Sequence, residues 1–207
     1  MADSPPQTPT VEQLQARIEA LEQENQKWMR LAGINRLTRL PNSLMLYQVI
    51  LPAELRKGRN LPISLAFILI CPDNIGEINQ KRGRAVGDQL IAEIAAFLKQ
   101  HTEPGERLFH PDGANFAFLI PGGTEGRARR KAMDIRKAFR EATLTVGDST
   151  FTGLTCCAGV TAVEEEVIPA DDISQRVEQI YHELSDRLYR AKQRGTDSQV
   201  GSRRKNT

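Results

Sequence analysis

Residues able to do chemistry gather in four short stretches of this sequence. Cys71-Pro72-Asp73 closes an almost unbroken apolar run, and Asn74-Ile75-Gly76 follows, with Asn79 and Asp88 further on. Asp112-Gly113-Ala114-Asn115-Phe116 joins turn residues to one carboxylate and an aromatic, and Lys192 stands near the end. In an extended strand Cys71 and Asp73 point to the same side, so a thiol and a carboxylate can face one ligand. The backbone N–H groups of Asn74-Ile75-Gly76 can meet a phosphate. Each residue also has a plain structural use: Asp88 can cap a helix beginning near Gln89, Asn79 can satisfy turn carbonyls, Lys192 can be a solvated charge at a helix C-terminus, and Phe116 can anchor a strand. Cys71, Cys156 and Cys157 lie in apolar, strand-like surroundings without metal-ligand spacing. They read as reduced core residues, and neither a metal site nor a cofactor is expected of them.

The elements that must position these groups follow from periodicity. Val11, Leu14, Ile18, Leu21, Asn25, Trp28 and Ala32 recur at alternating four- and three-residue spacing, the seam of a coiled coil. Asn25 at an inner position favours a parallel dimer in one register, with Arg17 and Glu22 placed to pair across it. The alternative is an amphipathic helix packed on its own domain. Further on, the pattern predicts a helix from Leu44 to about Lys57, ended by Gly58 and Pro62, and a strand buried on both faces from Leu61 to Cys71. Next come a helix over Ala85 to Gln100, strands at Arg107 to Phe109 and Asn115 to Ile120 about a Pro111-Asp112-Gly113 turn, and a basic helix over Gly126 to Thr143. A strand over Ser149 to Val163 and a helix over Ile173 to Arg194, stopped by Gly195, complete the series. This order gives an α/β sandwich, a central mixed sheet flanked by helices and preceded by a coiled-coil helix.

Size and charge bound the rest. With 207 residues, 40% of them hydrophobic, the chain buries one respectable core and carries an appendage. The division expected is a disordered stretch over 1–10, a dimerisation helix over 11–33, one domain over 34–200 and a basic disordered tail over 201–207. A net charge of +2 with interspersed signs argues against nucleic acid or an anionic membrane as partner. No apolar run is long enough to span a bilayer and the start lacks the order of a signal peptide, so a cytoplasmic protein is expected.

Four stretches, in order, resemble the GGDEF (diguanylate cyclase) family. Asn35-Arg36-Leu37-Thr38-Arg39-Leu40-Pro41-Asn42 is similar to the family's opening Asp-x-Leu-Thr-Gly-Leu-Pro-Asn. Cys71 to Asn79, with Gly83 and Gly87-Asp88, resembles its Asp-x-Asp-x-Phe-Lys-x-x-Asn segment running to Gly-Asp. Asp112-Gly113-Ala114-Asn115-Phe116 stands where the family has Gly-Gly-Asp/Glu-Glu-Phe, and Ser185 to Gly195 is similar to its closing Ala-Asp-x-Ala-Leu-Tyr-x-Ala-Lys-x-x-Gly. The resemblance implies a palm-like fold in which two half-sites, each holding a GTP, meet to make cyclic di-GMP.

It also implies a degenerate member. Attack of a ribose hydroxyl on an α-phosphate needs a divalent metal held by carboxylates. The family's metal-ligating positions read Cys71 and, on the hairpin, Ala114 and Asn115; a thiol suits magnesium poorly and an amide or methyl supplies no charge. Asp112 replaces a glycine and sets a negative charge against nucleotide phosphates. By the same resemblance Asn79 and Asp88 match the guanine-binding residues and Lys192 a phosphate lysine, whereas Thr196 replaces an expected arginine. The product-inhibition motif Arg-x-x-Asp falls on Glu103-Pro104-Gly105-Glu106, whose acids cannot hold a dianionic dinucleotide.

The expectation is a catalytically inactive, homodimeric regulatory or scaffolding protein that acts through an unidentified protein partner and weak guanine-nucleotide sensing. One alternative is an active cyclase or related nucleotidyl transferase whose magnesium ligands are rearranged onto Asp73 or Asp112. The other is a structural adaptor with no ligand.

Overall fold

The computed structural model describes residues 10–58 and 61–201, so all but residues 10 and 201 of the stretches expected to be disordered, 1–10 and 201–207, lie outside the described residues. The side chains of Asn25 and Trp28 also lie outside them. Helix α1 spans Val11–Ala32, and its Leu14, Ile18 and Leu21, which recur on one side, are exposed.

Strand β1, Ile63–Pro72, is the axis of the domain. Its apolar run is continuous because both faces are covered, and alternate residues enter two separate cores. Ala66, Ile68 and Ile70 pack with α4 (Arg84–Gln100), α5 (Glu125–Glu141) and the hairpin of β4 (Thr143–Val146) and β5 (Ser149–Thr152). Leu65, Phe67, Leu69 and Cys71 pack on the other face with α2 (Leu51–Arg56) and α6 (Ile173–Gln193). Strands β2 (Arg107–Asp112), β3 (Asn115–Pro121), β6 (Cys156–Glu166) and β7 (Gln199–Val200) complete a five-stranded sheet in the order β2-β3-β1-β6-β7. Only the β6–β7 pair is parallel, so the sheet is mixed.

Four differences from the sequence reading have physical causes. The helix expected from Leu44 begins with a π-helical stretch, Met45–Ile50, before α2. An eight-residue helix α3, Ile75–Arg82, follows β1 directly; it buries only Ile75, so its sequence carries almost no amphipathic signal. Helix α4 begins at Arg84 with Gly83 (φ +86°) as its N-cap, so Asp88 lies inside the helix and does not cap it. The single strand expected from Ser149 to Val163 is two, because Gly153 at φ +64° turns the chain, and β5 pairs with an unforeseen β4.

Helix α6 lies directly on β6 at Gly159. A Cβ there would stand 2.6 Å from the Leu188 nitrogen and 2.7 Å from the Leu184 oxygen, both backbone atoms that cannot rotate away. We expect Gly159→Ala to lower unfolding free energy by about 1–3 kcal/mol. Urea denaturation checks this, and an unchanged midpoint would contradict the packing described.

Candidate functional site

Pairing of Ile70 with Phe116 brings residues 112–116 of the β2–β3 hairpin beside Cys71 and Asp73 at the end of β1. Cys71 is buried, and its thiol donates weakly to the Pro72 carbonyl at 3.5 Å. Burial pushes the Cys71 pKa up; the hydrogen-bonded Lys192 ammonium pulls it down, and burial wins. The thiol therefore stays protonated at neutral pH. Asp73 is committed elsewhere, since its Oδ2 accepts from the Thr155 hydroxyl at 2.7 Å and from the Asp197 N–H at 2.9 Å. Asp197 in turn accepts from Arg136 and Arg140 of α5, which locks the α6–β7 connection against the end of β1. At the hairpin tip, Gly113 takes φ +51° and the Asn115 Nδ2 donates to Asp112 Oδ1 at 2.7 Å. A carboxylate only accepts, so this bond fixes the amide with its oxygen turned away, and that Oδ1 is buried without a partner. Ala114 brings no charge and packs against both cores.

These donors do not fit magnesium, which requires hard oxygen ligands in octahedral array. One sulfur keeps its proton, one carboxylate is already hydrogen-bonded, and no group of three or more His, Cys, Asp or Glu among the described residues is placed to hold a metal ion.

The residues read as phosphate and base contacts, Lys192 of α6 apart, follow the end of β1, on α3 and α4. Asn74 adopts the left-handed conformation, φ 61°, and is the N-cap of α3 without a side-chain capping bond; Ile75 is buried, and Gly76 is exposed with open space at its Cβ position. The stretch read as a loop is thus the start of a helix, with its N–H groups free of side-chain caps. Asn79 lies against Gly87, where any Cβ would overlap its Oδ1, and that oxygen is buried and unpartnered. The Asn79 NH2 group and the half-buried Asp88 carboxylate have no hydrogen bond within the described chain. Asn79 thus satisfies no turn carbonyl, and both groups remain available to a ligand.

Sequence reasoning missed an aromatic cleft and a histidine clamp. A cleft of about 270 Å3 separates the hairpin from α6, lined by Tyr47, Asp112, Asn115, Tyr181, Tyr189 and Lys192 among others. Tyr47 comes from the π-helical stretch and meets Tyr181 edge-on, ring centroids 5.1 Å apart. His110, almost fully buried, stacks on Phe116 and uses both ring nitrogens. A carbonyl can only accept, so Nε2–H donates to the Gly113 oxygen at 2.9 Å, which leaves Nδ1 to accept from the Thr38 hydroxyl at 3.0 Å. Burial holds the His110 pKa below the usual histidine value, against smaller opposing effects of the Gly113 carbonyl and Asp112. Thr38 is 72 residues from His110, so only the fold reveals the pair.

Residues 32–198 match the family described as diguanylate cyclase, GGDEF domain. The chain belongs to the GGDEF domain family. Among solved structures, the coiled coil and GGDEF domain of DgcB from Caulobacter crescentus, in complex with c-di-GMP, is similar at 19% identity and TM-score 0.70, over 91% of this chain and 95% of that one. The diguanylate cyclase SiaD of Pseudomonas aeruginosa, in complex with its activator SiaC, is similar at 22% identity and TM-score 0.69, over 90% and 70%. A GGDEF-only form of TpbB (YfiN) from Pseudomonas aeruginosa gives 24% identity and TM-score 0.69, over 82% and 94%. At these identities the likeness is one of fold.

Within this GGDEF domain, the positions of the family's product-inhibition motif are filled from inside. Glu106 is buried and pairs with Lys131 of α5 at 2.7 Å and Arg127 at 3.3 Å, while Glu103 pairs with Arg127 at 3.0 Å. Glu106 also accepts from the Glu103 N–H, and Lys131 donates to the His101 carbonyl. Removing Lys131 would take the shorter and more buried of its two ion pairs from the Glu106 carboxylate and leave it the half-exposed Arg127 alone. We expect Lys131→Met to cost about 3–5 kcal/mol in urea denaturation, with much of the loss recovered on adding Glu106→Leu, because replacing both charges leaves none unpaired. Additive losses in the double variant would contradict this.

Proposed function

We propose that this GGDEF domain is a catalytically inactive, dimeric regulatory or scaffolding module of cyclic di-GMP signalling that retains weak guanine-nucleotide binding. The observation that carries the proposal is the buried, protonated Cys71 thiol at the position of a metal-ligating carboxylate, beside a hairpin whose Ala114 and Asn115 supply no charge. Phosphoryl transfer in such a site loses its metal-based charge stabilisation. The rival reading, a cyclase with ligands moved to Asp73 or Asp112, is disfavoured by the bonds that Asp73 makes to Thr155 and Asp197 and by the distance-fixing bond between Asp112 and Asn115. The adaptor reading leaves the unpaired Asn79 and Asp88 without a purpose, since Asp88 is not a helix cap.

Incubation with GTP and magnesium or manganese should give no cyclic di-GMP. Turnover that disappears in Asp73→Ala would establish the rival. In calorimetry guanine nucleotides should bind weakly, in preference to adenine nucleotides and with little dependence on magnesium. Asp88→Ala should abolish that binding and leave the melting temperature nearly unchanged. If wild type binds no guanine nucleotide, the adaptor reading gains.

The exposed Leu14, Ile18 and Leu21 on α1 support pairing through that helix, since a solitary helix leaves them in water. Light scattering at tens of micromolar should give a dimer for the full chain and a folded monomer when residues before Leu31 are removed. A monomeric full chain would refute pairing.

A further inference from the structure

We propose that His110 mechanically couples the end of α1 to the β2–β3 hairpin, through a relay in which Asn42 and Thr38 are the intermediate links. The Asn42 Nδ2 donates to the carbonyl of Ala32, the last residue of α1, at 2.7 Å. Its Oδ1 accepts from the Met45 N–H at the start of the π-helical stretch, and its own N–H donates to the Gly33 carbonyl. The segment between is folded tightly on itself. Ile34 and Pro41 form an isolated antiparallel bridge, Asn35 N–H donates to the Leu40 carbonyl, and the Asn35 side chain accepts from the N–H groups of Leu37 and Thr38. A turn with this many internal bonds moves as a unit.

The unit grips β2 at one residue, by two bonds. The His110 N–H donates to the Pro41 carbonyl at 2.9 Å, and the Thr38 hydroxyl donates to its Nδ1 at 3.0 Å. From the opposite edge of the same ring, Nε2–H reaches the Gly113 carbonyl at the hairpin tip, and the ring stacks on Phe116 with centroids 4.6 Å apart. The imidazole is therefore a rigid spacer between the turn and the tip, and the β2–β3 register shifts between Phe109 and Asp112, around the histidine. Any force that reorients the end of α1 is delivered to the hairpin, and by linkage any ligand held at the hairpin biases the end of α1 to the same degree. The relay does not depend on whether α1 pairs with a second copy or with another protein.

Amide hydrogen exchange of the full-length protein, read by NMR, tests the relay with Asn42→Asp and Thr38→Val. Asn42→Asp keeps an acceptor for Met45 N–H and replaces the donor to Ala32 with a carboxylate oxygen that repels that carbonyl, and Asn42 has no bond to the hairpin. It should nevertheless speed exchange at Gly113 to Phe116 by about fivefold, the factor that accompanies loss of one ordinary interaction. Thr38→Val should have a similar effect, and the double variant should fall well short of the product of the two, because side chains in one hydrogen-bonded series do not act independently. Hairpin rates that do not change in Asn42→Asp would overturn the proposal. So would effects of the two substitutions that multiply independently, or rates at Ile68 and Phe118 rising by the same factor as the hairpin, which would mark general unfolding instead of transmitted motion.

Discussion

Everything in this domain depends on β1 being buried on both faces. A strand whose odd and even residues enter different cores can be placed in only one register, because a slip of one residue would exchange the two sets of side chains. Ile68 and Ile70 hold the α4–α5 layer, while Phe67 and Leu69 hold the α2–α6 layer. The two layers cover opposite faces of the sheet, and this strand with its neighbours β3 and β6 sets their relative position, with ion pairs such as Glu125–Arg187 joining α5 to α6 at the sheet's margin. The end of β1 is consequently the best-determined point in the molecule, and Cys71, Asp73 and the start of α3 all stand there.

The same constraint explains which parts of the structure could be read in the sequence. Elements that bury a full face announce themselves: the apolar run of β1 and the periodic faces of α4, α5 and α6 all occur close to where the pattern places them. Elements that bury little were silent, notably α3 with its single buried Ile75, and the four-residue β4. The Asp88 cap failed for a different reason. Carboxylates at helix starts are common, but the backbone reversal at Gly83 had already begun the helix a turn earlier.

At the site, residue types were legible and partnerships were not. Once the resemblance marks their positions, the chemistry of Cys71, Ala114 and Asn115 shows them unsuited to magnesium. That Asp73 is bonded to Thr155 and Asp197, 82 and 124 residues away, could not. Nor could the filling of Glu103 and Glu106 by α5, which turns a place where basic groups would meet an anionic ligand into a closed set of ion pairs. In each case a polar group that a ligand could have satisfied is satisfied by the chain itself, whereas the Asn79 amide and the Asp88 carboxylate are not.

Cys71 lies directly opposite Cys157 in the β1–β6 pairing, and both side chains belong to the α6-facing core. This arrangement sets the cost of a charge at the same place. A carboxylate placed at position 71 would sit in a nearly closed apolar space, against a thiol whose own pKa burial has pushed up to about 11, with Lys192 as a counter-charge. The sulfur is tolerated where an ionised group would not be, because a neutral thiol loses little on leaving water while a carboxylate loses its hydration. Side-chain fit around positions 71 and 157 thus favours an uncharged group near the end of β1, whatever the neighbouring surface binds.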